Sequence, residues 1–498
     1  MAGPAMTYSM VDYADVQGLV RFGYGRMTSA SYALVRVKNV AAAKAWLRAA
    51  PVTNAVEKKP PPTTALQIAF TAAGLTQLGL PRSVMEGFSR EFRNGMNTDY
   101  RNRLLGDVDF NAPKHWKWGA PESEPHLLVM FFAQPEHFDS FVQNTKGDTW
   151  SDAFEEVIWL GTSNLDGDEP FGFADGISQP QIDWDQQRPT PCTQLEYTNI
   201  VALGEFLLGY RNEYGKITDR PLLDPDAMNA ELLPAVDAPD KKDLGRNGTY
   251  LVMRQLEQDV GEFWKFLYEH AGGNLAEAGQ LGAKMVGRTQ AGDPLLPIQD
   301  EPIPGTEPRT VKQNQFTYEA DPAGARCPFG AHIRRANPRN SDFPERRIGA
   351  LRKLIIILGF GPKGFYDDLI SSVRFHRILR RGREYGSELS PEQALQQAPP
   401  NERRGLHFIC LNANISRQFE FLQSAWISNT KFSGLMGESD PLLGNHEPVS
   451  DPSVGNFTIL GESTLRRRIS GLRQFVTVKG GAYFFLPSLR ALRYFTTG

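Results

Sequence analysis

The sequence predicts an α+β fold in which two antiparallel sheets are each backed by helices. Segments rich in β-forming residues are followed by segments with apolar residues at helical spacing, and this order occurs in both halves of the chain. Long irregular stretches separate these units. Because 498 residues exceed what one ordinary hydrophobic core holds, we expect two domains, residues 1–220 and residues 221–498.

The first half alternates β-forming and helical segments. Strands are predicted at residues 19–24, 32–37, 66–70 and 127–132, and the last of these is apolar throughout. Helices are predicted at residues 40–50, 75–81 and 135–143. Gly79 and Pro81 are expected to end the second helix, and Phe138 and Phe141 share one face of the third.

The second half repeats this order with different residues. Strands are predicted at residues 250–253 and 406–411, and helices at residues 259–270 and 417–426. Two irregular segments, residues 181–248 and 291–324, lie beside motifs of chemical character, which favours a functional role for them. The first of these segments is expected to hold the connection between the domains.

Composition and charge narrow the class of protein. The chain is 41% hydrophobic and 22% charged, as in a globular protein, and its net charge of −3 gives no indication of a nucleic-acid or membrane partner. Three cysteines, Cys192, Cys327 and Cys410, form no disulfide framework and favour a reducing compartment. We find no signal-peptide pattern and no apolar run long enough to span a membrane. We therefore expect a cytoplasmic protein.

Asp175 lies in the segment Gly172-Phe173-Ala174-Asp175-Gly176. Asp-Gly is a common turn dipeptide, so a plain turn is one interpretation. The other is a functional carboxylate, because Phe171 and Phe173 surround it with apolar groups and the flanking glycines let the backbone approach a flat ligand. A carboxylate held in such a pocket is a candidate general base.

His332 follows the segment 327–331 and precedes several arginines. A single histidine is more often a surface or core residue than a ligand. Here small residues leave space beside the imidazole, and Arg334, Arg335 and Arg339 supply positive charge. A haem group needs one imidazole for its iron and cations near its propionates, and this segment provides both. Neither a Cys-x-x-Cys-His motif for covalent haem nor a set of four zinc ligands accompanies it.

Together these motifs resemble those of the dye-decolorising peroxidase family. Residues 172–176 match its G-x-x-D-G motif, residues 327–339 its proximal segment, and the arginine-rich stretch ending at Tyr385-Gly386 its distal-arginine region. Three further segments, residues 405–408, 418–423 and 479–488, follow in the family's order, so the resemblance runs from about residue 15 to the C-terminus. An additional segment, residues 341–372, resembles the larger, insertion-bearing branch of the family.

The resemblance implies two ferredoxin-like domains in a dimeric α/β-barrel-like arrangement. One non-covalent haem b would lie between the sheet and the helices of the C-terminal half. His332 would be the iron ligand, Asp175 the distal acid/base group and Arg380 the distal arginine in contact with the cofactor. Leu406 and Phe408 would line the distal pocket.

The resemblance leaves three assignments open. Arg381 is the alternative to Arg380 as the distal arginine. Glu420 is the candidate carboxylate for supporting the His332 imidazole. Either Arg334 or Arg339 is expected to hold a propionate.

The implied activity is that of a peroxidase. Hydrogen peroxide is reduced, and bulky aromatic donors such as dyes and phenolics are oxidised by one-electron steps. Because an aspartate titrates near pH ~4, we expect activity shifted toward acid. Trp426, Tyr385 and Tyr483 are conceivable electron relays, although core packing is the commoner role of such residues.

Two other functions stay open. A haem-binding carrier or storage protein would need His332 but has no use for Asp175 or Arg380, and an enzyme acting on haem itself would be identified by its product. The physiological reductant, the formation of a homo-oligomer and enclosure in a protein shell do not follow from the sequence.

Overall fold

The structure is a computed structural model of the chain. It describes residues 10–188, 197–300, 303–306, 311–340, 373–396, 402–446, 455–460 and 466–497. Cys192 and the predicted insertion at residues 341–372 lie outside the described residues.

The first half of the chain forms a ferredoxin-like unit. Its strands are β1 (Ser29–Val37), β2 (Thr64–Phe70), β3 (Leu127–Ala133) and β4 (Phe154–Gly161). Its helices are α1 (Val40–Ala49), α2 (Ala72–Gln77), α3 (Arg82–Met85), α4 (Arg90–Asn94), α5 (Asp99–Leu105), α6 (Pro135–Lys146) and α7 (Trp150–Ala153). The strands pair antiparallel in the order β4-β1-β3-β2, and α1 and α6 make the two crossovers.

Short strands occupy the connection between the halves. They are β5 (Asp168–Glu169), β6 (Phe173–Ala174), β7 (Gln181–Asp183), β8 (Ile200–Ala202), β9 (Leu222–Leu223) and β10 (Lys242–Asp243). They pair two by two outside the main sheet. The boundary predicted between residues 220 and 221 stays a prediction.

The second half repeats the topology of the first. Its main strands are β11 (Thr249–Gln258), β12 (Leu379–Arg380), β13 (Arg383–Tyr385), β14 (Gly405–Asn412) and, after the hairpin β15 (Asn456–Leu460) and β16 (Arg466–Ser470), β17 (Val476–Leu486). Its α-helices are α8 (Val260–His270), α9 (Leu275–Val286), α10 (Val311–Asn314), α11 (His332–Ala336), α12 (Pro391–Gln396) and α13 (Leu489–Thr496). A helix with widened turns covers Ser416–Glu420 and Leu422–Ile427.

The two half-sheets meet edge to edge. In the second half β12 and β13 pair with β14, which pairs with β11, which pairs with β17, all antiparallel. β17 then pairs with β2 at Phe485 and Phe70, so the main strands of both halves form one continuous nine-stranded sheet. The predicted α+β class with antiparallel sheets flanked by helices is confirmed.

The sheet is buried on both faces. In β3, for example, Leu127, Val129 and Phe131 belong to one hydrophobic cluster, whereas the alternate residues Leu128 and Met130 belong to the cluster on the opposite face. This double burial explains why the strand is apolar throughout. Among the described helices, none combines the length and hydrophobicity that crossing a bilayer requires.

Most of the predicted elements are confirmed, and in the first half of the chain two differ. The strand predicted at residues 19–24 is wrong: Gly18–Val20 form a 3-10 turn whose Leu19 and Val20 side chains fill the core from a loop. The helix predicted at residues 75–81 begins earlier, at Ala72, because the Thr71 hydroxyl accepts a hydrogen bond from the Gly74 N–H and caps the helix.

Candidate active site

A cavity of about 340 Å³ lies between the C-terminal half of the sheet and the helices that cover it. Strands β11, β14 and β17 form one wall, and α11 and the wide-turned helix form another. The structure brings the predicted site residues together here, because Asp175, His332, Arg380, Leu406 and Phe408 all line this cavity. They come from segments far apart in the sequence.

A tight hairpin presents Asp175 to the cavity. β5 pairs with β6, and Gly172 and Gly176 have φ values of +84° and +74°, which favour glycine at both positions. The hairpin is anchored by aromatic packing: the Phe171 ring lies 4.3 Å from that of Phe263 in α8, measured between centroids. The backbone that carries the Asp175 carboxylate is therefore held in place.

Arg380 lies directly against Asp175. Its Nη1 donates a hydrogen bond of 2.8 Å to Asp175 Oδ1. The Arg380 backbone N–H donates to the Gln179 side chain, which holds β12 against the segment that follows Asp175. The Asp175 side chain is 42% exposed, and the surrounding protein still desolvates it enough to raise its pKa; the Arg380 charge and the Gly176 N–H outweigh this, and the net shift is downward.

The neighbouring arginine is turned away from the cavity. Arg381 donates from Nε to the Leu19 carbonyl and from Nη2 to the Val20 carbonyl, so it ties β12 to the N-terminal segment. Of the two candidates for the distal arginine, Arg380 is the one in contact with Asp175.

His332 begins helix α11 and is held by a buried carboxylate. Its Nδ1 donates to Asp440 Oδ2 over 2.9 Å, which leaves Nε2 as the nitrogen for a ligand in the cavity. The Asp440 side chain is fully buried. Burial lowers the pKa of His332, but the charge and hydrogen bond of the Asp440 carboxylate raise it, and the net shift is upward.

The expectation that Glu420 supports His332 is wrong. Glu420 Oε1 instead accepts hydrogen bonds from Arg101 Nε at 2.7 Å and from the Tyr483 hydroxyl at 2.9 Å. The supporting residue is Asp440, which sequence reasoning missed. Its local signal was weak: Oδ1 caps the backbone N–H groups of the two leucines after Pro441, as many loop aspartates do.

Strand alternation places the apolar wall of the cavity. Leu406 and Phe408 are two residues apart on β14, and both line the cavity. His407 between them points to the opposite side, where its Nε2 contacts the Gly161 carbonyl and burial lowers its pKa to about 4.

Arginines surround the polar part of the cavity. Arg339 lines the cavity and donates to the carbonyls of Asn314 and Phe316. Arg334 is instead committed to Asp321 and the Cys327 carbonyl, and it is not part of the cavity wall. Of the two propionate candidates, Arg339 is therefore the one within reach of a ligand.

Glu169 is a second carboxylate beside Asp175 that sequence reasoning did not identify. It accepts hydrogen bonds from the backbone N–H groups of Phe171 and Phe173 and from the Gln258 side chain. Burial raises the pKa of Glu169 to about 7, although these hydrogen bonds oppose the shift. Glu169 thus stabilises, through these hydrogen bonds, the hairpin that carries Asp175.

Comparison with known proteins gives a consistent family. No family model matches the chain. A dye-decolorizing peroxidase from Mycena epipterygia is 30% identical over 477 residues, which cover 86% of this chain and 76% of the relative. A dye-decolorizing peroxidase from Exidia glandulosa is 28% identical over 97% of this chain and 87% of its own length.

Solved structures agree with these relatives. A fungal DyP-type peroxidase from Auricularia auricula-judae superposes with a TM-score of 0.71 and 26% identity, covering 98% of this chain and all of that one. A dye-decolorizing peroxidase in complex with 2,6-dimethoxyphenol has the same TM-score and coverage at 25% identity. The fold, the length and the sequence all match, and the chain belongs to the dye-decolorising peroxidases, a family of haem enzymes.

Proposed function

We propose that this chain is a haem b peroxidase that reduces hydrogen peroxide with Asp175 and Arg380 and holds the iron through His332. Bulky aromatic compounds, such as dyes and phenolics, would be its electron donors. The observation that carries the proposal is that one cavity has the Asp175–Arg380 pair and His332 in its walls, with Asp440 buried behind the imidazole. The phenolic complex of a related peroxidase supports this class of donor.

The residues around the cavity fit a haem group. Apolar side chains for a porphyrin face come from Leu406, Phe408 and Phe419, and one imidazole is available for the iron. Arginines, Arg339 among them, provide cations for propionates. Since Cys327 is buried against the protein and no Cys-x-x-Cys-His motif occurs, the fit is to a non-covalent haem.

The roles of the His332 pair follow from its hydrogen bond. Asp440 fixes the tautomer of His332, so that Nε2 carries no proton and is free to donate its lone pair to iron. The negative charge beside Nδ1 also increases the electron donation of the imidazole. Bound haem would supply the oxidising chemistry of the reaction.

The roles of Asp175 and Arg380 follow from their charges. The lowered pKa keeps the Asp175 carboxylate ionised. It can therefore accept the proton from one oxygen of peroxide and deliver it to the other oxygen, which leaves as water. Arg380 stabilises the negative charge that develops as the O–O bond breaks. One such well-placed donor typically contributes about 2.7–4 kcal/mol.

The test is rapid mixing of the haem-loaded protein with one equivalent of peroxide, for the wild type and Asp175→Asn. We expect a fast change of the haem absorption in the wild type and a rate lower by orders of magnitude in the variant. A haem spectrum that ignores peroxide in both proteins would instead identify a carrier. An Asp175→Asn variant as fast as the wild type would remove Asp175 from the reaction.

A further inference from the structure

The structure contains a second cavity, whose lining residues are all different from those of the first. It measures about 540 Å³ and lies on the helix-covered side of the sheet, between α2, α4 and the end of β17. Thr76, Gln77 and Arg93 are exposed residues in its lining, so it is reached from solvent. A first cavity that holds the cofactor and peroxide would require a separate site for a bulky donor.

The lining of the second cavity suits an aromatic donor with polar substituents. Met85, Phe92 and Met96 supply apolar surface, and Met side chains adapt to flat ligands of different outline. His126 lines it as well. His126 Nδ1 accepts the Val37 N–H, so the imidazole proton is on Nε2, where it can be donated to a phenolic oxygen.

Tyr483 and Phe419 separate the two cavities. Tyr483 lines the second cavity and Phe419 lines the first, and their ring centroids are 6.3 Å apart. Phe419 in turn lies 6.3 Å from Phe408, which belongs to the wall of the first cavity. A short series of aromatic rings therefore connects a donor in the second cavity to the place where peroxide reacts.

The Tyr483 hydroxyl has a proton acceptor already in position. It donates to Glu420 Oε1 over 2.9 Å, and Arg101 holds that same carboxylate. Burial and the Glu420 charge raise the pKa of Tyr483, so the hydroxyl stays protonated in the resting protein. Tyr385, by contrast, donates to the Leu256 backbone carbonyl, which cannot take a proton.

We propose that the second cavity binds bulky phenolic or dye donors and that Tyr483 relays their electrons, with Glu420 as its proton acceptor. This inference rests on the proposed peroxidase function. Tyr483 gives one electron toward the first cavity and its hydroxyl proton to Glu420. The tyrosyl radical then takes one electron from the donor and the proton back from Glu420, while the oxidised phenol releases its own proton to water. Two such cycles supply the two electrons that reduce one hydrogen peroxide to two waters.

The first experiment traps the radical in the haem-loaded protein. After mixing with one equivalent of peroxide and freezing, electron paramagnetic resonance should detect a tyrosyl radical in the wild type and in Tyr385→Phe, but not in Tyr483→Phe. Turnover of a bulky anthraquinone dye should fall at least tenfold in Tyr483→Phe. The initial change of the haem absorption with peroxide should keep its wild-type rate.

The second experiment blocks the cavity without touching the relay. Thr76→Trp should raise the KM for the dye severalfold and leave the radical signal intact; an unchanged KM would overturn the second cavity as the donor site. A radical signal and dye turnover that survive in Tyr483→Phe would overturn the relay. If the wild-type haem does not respond to peroxide at all, the proposed peroxidase function fails first, which the absorption measurement reveals separately.

Discussion

Asp175 and Arg380 show how a single contact sets the working pH of the site. The two residues are 205 positions apart in the sequence, yet the guanidinium is the main influence that opposes desolvation at the carboxylate. The carboxylate is the form that accepts a proton from peroxide. Activity is therefore present above the lowered pKa of Asp175 and lost as the pH falls through it.

Replacing Arg380 by leucine should move this acid limit. With the guanidinium gone, desolvation by the surrounding protein remains and raises the pKa of Asp175, so the acid limb of kcat/KM for peroxide shifts upward. The plateau should also fall by about 10²–10³-fold, because a donor to the transition state is lost. The measurement is the pH profile of kcat/KM across the acidic and neutral range.

The exposed Arg403 is the control for that substitution. It pairs with Glu257 at the protein surface, so Arg403→Leu removes the same charge without touching Asp175. Its profile should coincide with that of the wild type. An Arg380→Leu profile with an unmoved acid limb would mean that another group sets it.

Asp440→Asn should weaken the binding of haem. Asparagine can still accept the His332 Nδ1 hydrogen bond, so the fold is kept, but the negative charge beside the imidazole is lost. We expect haem affinity to fall by about 10–100-fold and the midpoint potential of the iron to rise. Haem titration and spectroelectrochemistry measure the two quantities.

Glu438→Gln is the matched change nearby. The Glu438 carboxylate accepts hydrogen bonds from the Thr458 N–H and hydroxyl and does not contact His332. Glu438→Gln should therefore leave the midpoint potential of the iron unchanged. A potential that stays constant in Asp440→Asn as well would contradict the role given to Asp440.

The residues of the site differ in how far the sequence reveals them. Asp175 and His332 stand in compact motifs whose glycines and small residues are needed locally, so they are recognisable. Asp440 is 108 positions from His332, and its own surroundings resemble an ordinary capped turn. The sequence predicts Glu420 beside His332, but the fold places Glu420 where it accepts hydrogen bonds from Arg101 and Tyr483, which are distant in the sequence.

At the scale of elements, β14 sets the apolar wall of the first cavity, which is lined by Asp175, His332 and Arg380. The strand begins at Gly405, where an added Cβ would meet the Leu256 carbonyl oxygen at 1.9 Å. The neighbouring strand thus approaches more closely than any larger residue permits. This contact fixes the register of β14 against β11, and with it the positions of Leu406 and Phe408.

Gly405→Ala should therefore cost stability and disturb the cavity. Overpacking of this kind costs about 1–3 kcal/mol in the free energy of unfolding. Chemical denaturation measures that loss, and the haem absorption band reports the change at Leu406 and Phe408. Gly25→Ala, at an exposed glycine with open space around it, should change neither. A Gly405→Ala protein as stable as the wild type would show that β14 can move away from β11.

Periodicity predicts those elements whose burial is regular. β3 is buried on both faces and α8 on one, so their patterns are readable. The apolar residues after Gly18 also look like a strand, but their amides bond back within the turn, as when Phe22 N–H donates to the Gly18 carbonyl. The sequence predicts an ordinary α-helix at residues 417–426, where the structure has widened turns. In these turns a backbone N–H bonds to the carbonyl five residues earlier, as Glu420 does to Ile415, and this spacing has no local sequence signal.

At the scale of the molecule, the two ferredoxin-like units are joined by more than the connecting chain. β17 pairs with β2 at only one register position, but side chains near that junction add strong contacts. Gln17 donates to the carbonyls of Ile68 and Pro487, one from each unit. The sequence predicts the repeated pattern of strands and helices, whereas this junction depends on contacts between distant segments.

Asp15 is the charged centre of the junction. It is 3% exposed, and its carboxylate accepts hydrogen bonds from Asn247 Nδ2 and from the Arg490 backbone N–H, both at 2.8 Å. Asp15→Ala leaves these buried donors without their partner, which costs about 1–3 kcal/mol. Because the sheet is continuous, we expect one calorimetric transition in the wild type and one at lower temperature in the variant.

The exposed Asp148 provides the comparison, and Asp148→Ala should leave the transition temperature unchanged. Two separate transitions in the wild type would mean that residues 1–220 and 221–498 unfold as independent domains. The result bears on the active site, since the hairpin carrying Asp175 comes from the first range whereas its partner Arg380 comes from the second. If the whole molecule unfolds together, the Asp175–Arg380 contact is protected by the stability of both units, and Asp15→Ala should weaken haem retention on heating as well.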